Sequence, residues 1–290
     1  MTDAADFRSG KGERDENFPV ASHLIAPRHR GPILAFYNFV RTADDVADHP
    51  TLSPDEKIAL LDDLGHALTG SGPADPVAEP LRLALAERGL SPRHALDLLD
   101  AFRLDARKSR YSDWSDLMAY CALSAMPVGR FVLDVHGEDR ATWPASDALC
   151  AALQVINHLQ DCGKDYRELN RVYLPQDSLA AHNANVDDLG RPAASPALLA
   201  AIRELADRTA GLLSDSAVFP SQISDRRLRL EVAVIQSLAE ALNAKLGRRD
   251  PLSERVHASK PEALALAARG ILRGFLARRR APARIGAALP

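Results

Sequence analysis

Cysteine is scarce in this chain of 290 residues. There are three, Cys121, Cys150 and Cys162, an odd set without CxxC spacing, which fits neither a disulfide framework nor a cysteine zinc site and leaves reduced cytoplasmic thiols as the plain reading. Aromatic residues make up 5% of the chain, and no run alternates Val, Ile and Thr with polar residues as a half-buried strand would. Trp114 and Trp143 read as packing residues near helix ends. The net charge is −3 and the pI about 6.3, so no global positive field points to nucleic acid as a partner. Nowhere do about 18 apolar residues run together. The amino terminus, MTDAADFRSGKGERDENF, is polar and acidic, so it reads as neither signal peptide nor membrane span.

What is abundant is alanine and leucine, with legible helix starts. SPDEK at Ser53 offers a serine cap, proline at the first helical position and Glu56 three residues after the cap, and SPRHA at Ser91 and SPALL at Ser195 repeat the serine-proline device. Turn-rich connectors cover 69–76, 136–146, 182–192 and 218–222. The pattern predicts an all-α, single-domain bundle around a central cavity, over 17–280, with flexible ends at 1–16 and 281–290. About nine or ten helices are expected, the longest over 30–49, 113–136, 146–168 and 222–247.

Two acidic stretches carry the chemistry. FYNFVRTADDVADHP, residues 36–50, places Asp44 and Asp48 four apart at the end of an apolar helix, where like charges on one face repel. LQVINHLQDCGKDYRELNRVYLP, residues 153–175, places Asn157, Asp161 and Asp165 on one face if the helix continues through Gly163, with Gln154 a turn earlier. Either stripe alone reads as a solvated helix face. Together they continue from core segments, and carboxylates so placed must be paired, hydrated or bound to metal. Asp and Asn oxygens suit Mg²⁺, which bridges carboxylates to substrate phosphates; zinc or iron calls for His or Cys, and the Glu-x-x-His pairs of a di-iron bundle are missing. A diphosphate is then the expected partner; Lys164, Arg167 and Arg171 nearby read as phosphate ligands or as counter-ions to the aspartates, and Arg41 as functional, because an arginine inside an apolar helix is costly without a purpose.

These two stretches, with YCALSAMPVGRFVL at 120–133, resemble the squalene and phytoene synthases, the all-α head-to-head prenyl synthases. The resemblance runs from about residue 17 to 275. It implies metal ligation by Asp44, Asp48, Asn157 and Asp161, with Asp45 and Asp165 completing the two motifs. It also implies that Tyr37, Arg41 and Tyr173 contact the diphosphate or steer its ionisation, that Tyr120 and Gln154 are pocket residues, and that Ala125, Val128 and Gly129 line a prenyl tunnel. ENFPVAS at 16–22, SAMPVGR and NHLQDC are most similar to the bacterial hydroxysqualene synthases of hopanoid synthesis, which turn presqualene diphosphate, made by a sister enzyme, into hydroxysqualene. Gln160 and Lys164 replace a usual Arg and Glu of the family, SAMPVG replaces VAGxVG, and one extra residue separates Asp165 from Tyr173. These departures bear against a complete two-step condensation.

The chemistry so implied is ionisation of a prenyl diphosphate, with Mg²⁺ and Arg41 stabilising the leaving group, in a cavity that keeps stray nucleophiles from the cation. Leu34, Phe36, Phe39, Val128, Phe131, Val132, Leu153 and Ile156 are candidate walls, individually also ordinary core. Full condensation of farnesyl or geranylgeranyl diphosphate is the enzymatic alternative, and a prenyl-binding scaffold the non-enzymatic one. His23, His29, His49, His66 and His158 read as surface or capping residues. The basic and apolar tail around Arg269, Arg273, Arg278, Arg279 and Arg280, with Ile271, Leu272, Phe275 and Leu276, reads either as a last bundle helix or as peripheral membrane contact. A presqualene diphosphate synthase and a hydroxysqualene-reducing enzyme are the implied functional partners.

Overall fold

Proline marks where most of the long helices begin. A computed structural model describes residues 25–277, and among them it contains twelve α-helices and no β-strand, the only ladder contact being an isolated bridge between Arg110 and Val172. The all-α expectation is borne out. The expected domain limits, the ENFPVAS segment, His23 and Arg278 to Arg280 lie outside the described residues.

Proline occupies the first or second position of α1 (Pro27–Ala47), α2 (Pro54–Thr69), α6 (Met126–His136), α7 (Trp143–Leu169), α9 (Pro196–Ser216) and α12 (Lys260–Leu276), where its missing N–H costs nothing. The other helices are α3 (Ala78–Arg88), α4 (Arg93–Asp105), α5 (Trp114–Ser124), α8 (Gln176–Ala181), the short α10 (Phe219–Gln222), which also has a proline, Pro220, at its second position, and α11 (Arg226–Leu246). Ser53 and Glu56 form the expected capping box, and Ser195 caps α9. Ser91 instead sits two residues before α4, its hydroxyl accepting from the Arg93 amide. Inside α1, Pro32 cannot donate to the carbonyl of Arg28; Arg88 on α3 donates to that carbonyl through Nη2 instead.

The expected helix over 113–136 is two helices. Ala125 leaves helical geometry at φ −127°, ψ −47°, and Pro127 in the next turn has no N–H to carry the ladder on, so α5 ends and α6 starts in a new direction. Trp114 to His136 has a mean hydropathy of 1.3, apolar enough by length and composition to cross a membrane, with 39% of that window buried inside the protein. By contrast α7 runs unbroken through Gly163. That glycine is a close approach: a Cβ there would lie 3.3 Å from both the Leu189 carbonyl oxygen and the Leu252 side chain.

Two cores meet at the cavity. One joins α1 to α4 and takes Phe131 and Val135 from α6; the other joins α5, α7, α9 and α11. Phe36 of α1 stacks on Phe131 with centroids 3.9 Å apart. On the far side α12 docks against α11 through Gly270 and Gly274, where a Cβ on Gly270 would meet the Val234 backbone at 2.6 Å. The tail is thus a bundle helix as far as Leu276, though Leu264, Leu272, Phe275 and Leu276 remain more than half exposed.

Candidate active site

α1 and α7 carry the two acidic stripes to one end of a cavity of about 530 Å³. Its wall includes twelve of the residues singled out by motif: Tyr37, Arg41, Asp44 and Asp48 from α1, Tyr120 from α5, Val128 and Gly129 from α6, Gln154, Asn157 and Asp165 from α7, and Arg171 and Tyr173 just beyond it. Asp45, Ala125, Asp161 and Lys164 are not part of the lining. Of the candidate walls, Phe36, Val128, Val132 and Leu153 face the cavity, while Leu34, Phe39, Phe131 and Ile156 do not; Phe39 and Ile156 are fully buried core.

The charges are arranged in order along the wall. Arg41 forks between Asp44 (2.7 Å) and Asp45 (2.6 Å), the i, i+3 and i, i+4 neighbours a helix offers. Arg171 reaches back from the end of α7 to Asp48 (2.5 Å) and to the Ala47 carbonyl (3.0 Å), which also accepts from Lys57 (2.8 Å). Two cations thus close the negative end of the α1 dipole. Asn170 makes this reach possible: it ends α7 in the left-handed region at φ 51°, which Asn tolerates, and turns the chain back toward α1.

Even so, negative charge is in excess. Burial, then the Asp48 carboxylate, push Asp44 up to about 7. Asp165 is likewise pushed up to about 7 by burial, Asp161 and Asp48. Asp161 therefore acts on the site electrostatically without lining it. In the acid-rich end a carboxylate gains by sharing a proton or a cation.

Behind the aspartates lies a belt that sequence reasoning missed. Asp105, at the end of α4, accepts from the hydroxyls of Tyr120 (2.6 Å) and Tyr173 (3.0 Å). Burial raises it to about 6, against the pull of Arg171 and the two tyrosines. The signal available in sequence was slight, a single aspartate closing an amphipathic helix. His158 is a correction. It is buried and lines the cavity, not the surface. Its ring stacks on Tyr173 at 3.6 Å and 14°, and its Nε2 lies 3.2 Å from Nε2 of Gln154. Burial, then Arg171, lower it to about 3, so the ring is neutral. The 100° that separates it from Asn157 places it on another part of the same curved wall.

His29 is also buried rather than superficial. It meets His136 and Asp225 with ligand atoms all within 4.8 Å of one another, but Asp225 Oδ1 is occupied by the Arg227 and Leu228 amides. Arg28 donates to His29, and Arg88 stands at 3.5 Å. Those two cations oppose a metal ion, and the cluster reads as packing between the ends of α1, α6 and α11. Gln160, expected beside the second motif, points away from the cavity and donates to the Val256 carbonyl (2.5 Å).

Comparison with known proteins shows the family. The squalene/phytoene synthase family profile matches residues 12–262. A protein of Rhodopseudomonas palustris named hydroxysqualene synthase is 60% identical over 279 residues, 96% of this chain and 95% of its own. A protein of the same name from Sinorhizobium fredii is 56% identical, covering 91% and 90%. Among solved structures, squalene synthase HpnC from Alicyclobacillus acidocaldarius superposes with a TM-score of 0.72 at 31% identity, covering 84% of this chain and 92% of that one. The chain belongs to the squalene/phytoene synthase family.

Proposed function

We propose that this protein converts presqualene diphosphate to hydroxysqualene, by loss of diphosphate, rearrangement of the resulting cation and its capture by water. The observation that carries this reading is the sorted cavity: acidic and cationic groups from α1, α7 and Arg171 at one end, and an apolar chamber with Phe36, Val132, Leu153, Leu228, Val232 and Ile235 beyond. Identities of 56% and 60% with proteins named hydroxysqualene synthase support the choice of this reaction within a family that handles prenyl diphosphates.

The donor set fits Mg²⁺. Asp44, Asp48, Asn157 and Asp165 offer oxygens only, and the upward push on Asp44 and Asp165 marks a place where positive charge is wanted. Asp161 and Asp45 belong to the same motifs. When bound, Mg²⁺ supplies Lewis-acid stabilisation of the leaving diphosphate. The residues do the rest. Arg41 and Arg171, held by the aspartates in the resting protein, turn their donors to the diphosphate as its charge develops; Tyr37 stands in the wall, and Lys164, exposed outside the lining, adds positive charge near Asp165. Asp105 holds the Tyr120 and Tyr173 hydroxyls in fixed orientation in the cavity wall. The chamber excludes bulk water while the cation rearranges, and close packing at Gly129 sets its width.

Peripheral membrane contact belongs to the same proposal, on the exposed Leu264, Leu272, Phe275 and Leu276 beside Arg269 and Arg273. So do a cytoplasmic location and functional coupling to enzymes that make presqualene diphosphate and reduce hydroxysqualene. The test is incubation with Mg²⁺ and no NADPH, separately with presqualene diphosphate and farnesyl diphosphate, with products identified by mass spectrometry. Hydroxysqualene from the first is expected, and Asp44→Asn should abolish it with helicity intact. Condensation of farnesyl diphosphate would overturn the assignment, and a protein that binds the diphosphate without turnover would be a scaffold.

A further inference from the structure

If the cation is captured by one water in a chamber that excludes others, something must hold that water. The cavity wall offers few polar groups short of the aspartate end. The hydroxyls of Tyr120 and Tyr173 are both donated to Asp105. Ser124 and Ser146 line the cavity, but their oxygens are sealed from it, and Ser146 Oγ lies against Gly129. Tyr37, Asn157 and Glu231 already have interactions of their own, Glu231 Oε1 is sealed, and the Cys150 thiol is only a weak donor. One group remains. His158 is 8% exposed, its Nε2 is engaged by Gln154, and its Nδ1 has no hydrogen-bond partner among the described residues and is not sealed.

We infer that the His158 and Gln154 pair, stacked on Tyr173, holds the water that captures the cation, and so decides that the product is an alcohol. The inference rests on the proposed reaction. With the Gln154 amide donating to Nε2, the ring carries its hydrogen on Nδ1 and donates it to the water oxygen. One lone pair is thereby occupied and another faces the cation. That lone pair forms the C–O bond and fills the empty carbon orbital. The oxonium then loses its proton to the departed diphosphate, the strongest base at that end of the cavity. The stack on Tyr173 at 3.6 Å fixes the ring, and Gln154, one turn away on α7, fixes its tautomer. Without the held water the cation loses a proton from carbon instead, and a polyene hydrocarbon forms.

The experiment turns over presqualene diphosphate in H₂¹⁸O with Mg²⁺, and measures labelled alcohol and hydrocarbon per diphosphate released. His158→Phe keeps the aromatic stack and removes the donor. Its alcohol share should fall about tenfold, the effect of one lost hydrogen bond at the branch point, with hydrocarbon rising to match. Gln154→Met, which frees the tautomer, should lower the share less. A merely structural role would change the total rate and leave the ratio alone. An unchanged ratio in folded His158→Phe overturns the inference; if that variant does not fold, an unchanged ratio in Gln154→Met does. Wild-type protein that releases no diphosphate sinks the proposed reaction itself.

Discussion

Gly129→Ala tests the packing between α6 and α7 because two effects of opposite sign compete there. Gly129 sits in the first turn of α6, where alanine is the better helix former by about 1 kcal/mol. A Cβ at that position, however, would lie 2.5 Å from Ser146 Oγ and 2.6 Å from Cys150 Sγ, with the next neighbour, Ser146 Cβ, at an ordinary 3.8 Å. Both short contacts fall far inside van der Waals range, so α6 must withdraw or both α7 side chains must rotate. Overpacking of this kind costs about 1–3 kcal/mol, and two simultaneous overlaps place it near the top. The net should be a loss of about 1–2 kcal/mol. For a chain of 290 residues, whose unfolding entropy is about 0.6 kcal/mol per degree, thermal unfolding should show a melting temperature lower by about 2–3 °C. In a Ser146→Ala, Cys150→Ala background both offending atoms are gone, and the same substitution should raise the melting temperature. A single mutant as stable as wild type, or the same sign in both backgrounds, would refute the reasoning.

Replacing Arg171 by Met removes the cation that faces Asp48 and Asp105, and should lower kcat/KM for diphosphate release by about 100-fold or more, measured alongside circular dichroism to show an intact fold. Asp44 and Asp165 have folded values near 7, above their ordinary 3.8. Their contribution to stability is therefore fully present below about pH 4 and lost as pH rises through 7; metal-free protein should gain melting temperature between pH 8 and 5. Adding Mg²⁺ with diphosphate should reverse the slope, because the ligand competes with those protons. Arg88→Met should cost about 1 kcal/mol in wild type and less in Pro32→Ala, where the new N–H takes over the Arg28 carbonyl, a coupling that a double-mutant cycle reads from chemical denaturation.

Much of the fold was legible because its signals are local. Ser53 with Glu56, and Ser195 before Pro196, announce their helices through contacts within four residues. The break at Ala125 was harder: a run of apolar residues looks continuous, and one proline in it can start a helix as easily as kink one. The capping box at Ser259 and Glu262 carries the same kind of local signal at the start of the helix that leads into the basic tail.

The acidic stripes, their helical spacing and the residue types that favour an oxygen-loving cation were determined by sequence alone, because each depends only on the chain's own periodicity. What tertiary structure decided is which partners those groups meet. Arg171 returns to Asp48 across 123 residues, Asp105 gathers two tyrosines from other segments, and His158 turns from an expected surface or capping residue into part of the cavity wall. A side chain's direction around a helix follows from its number, but whether that direction is core, solvent or cavity depends on what packs opposite.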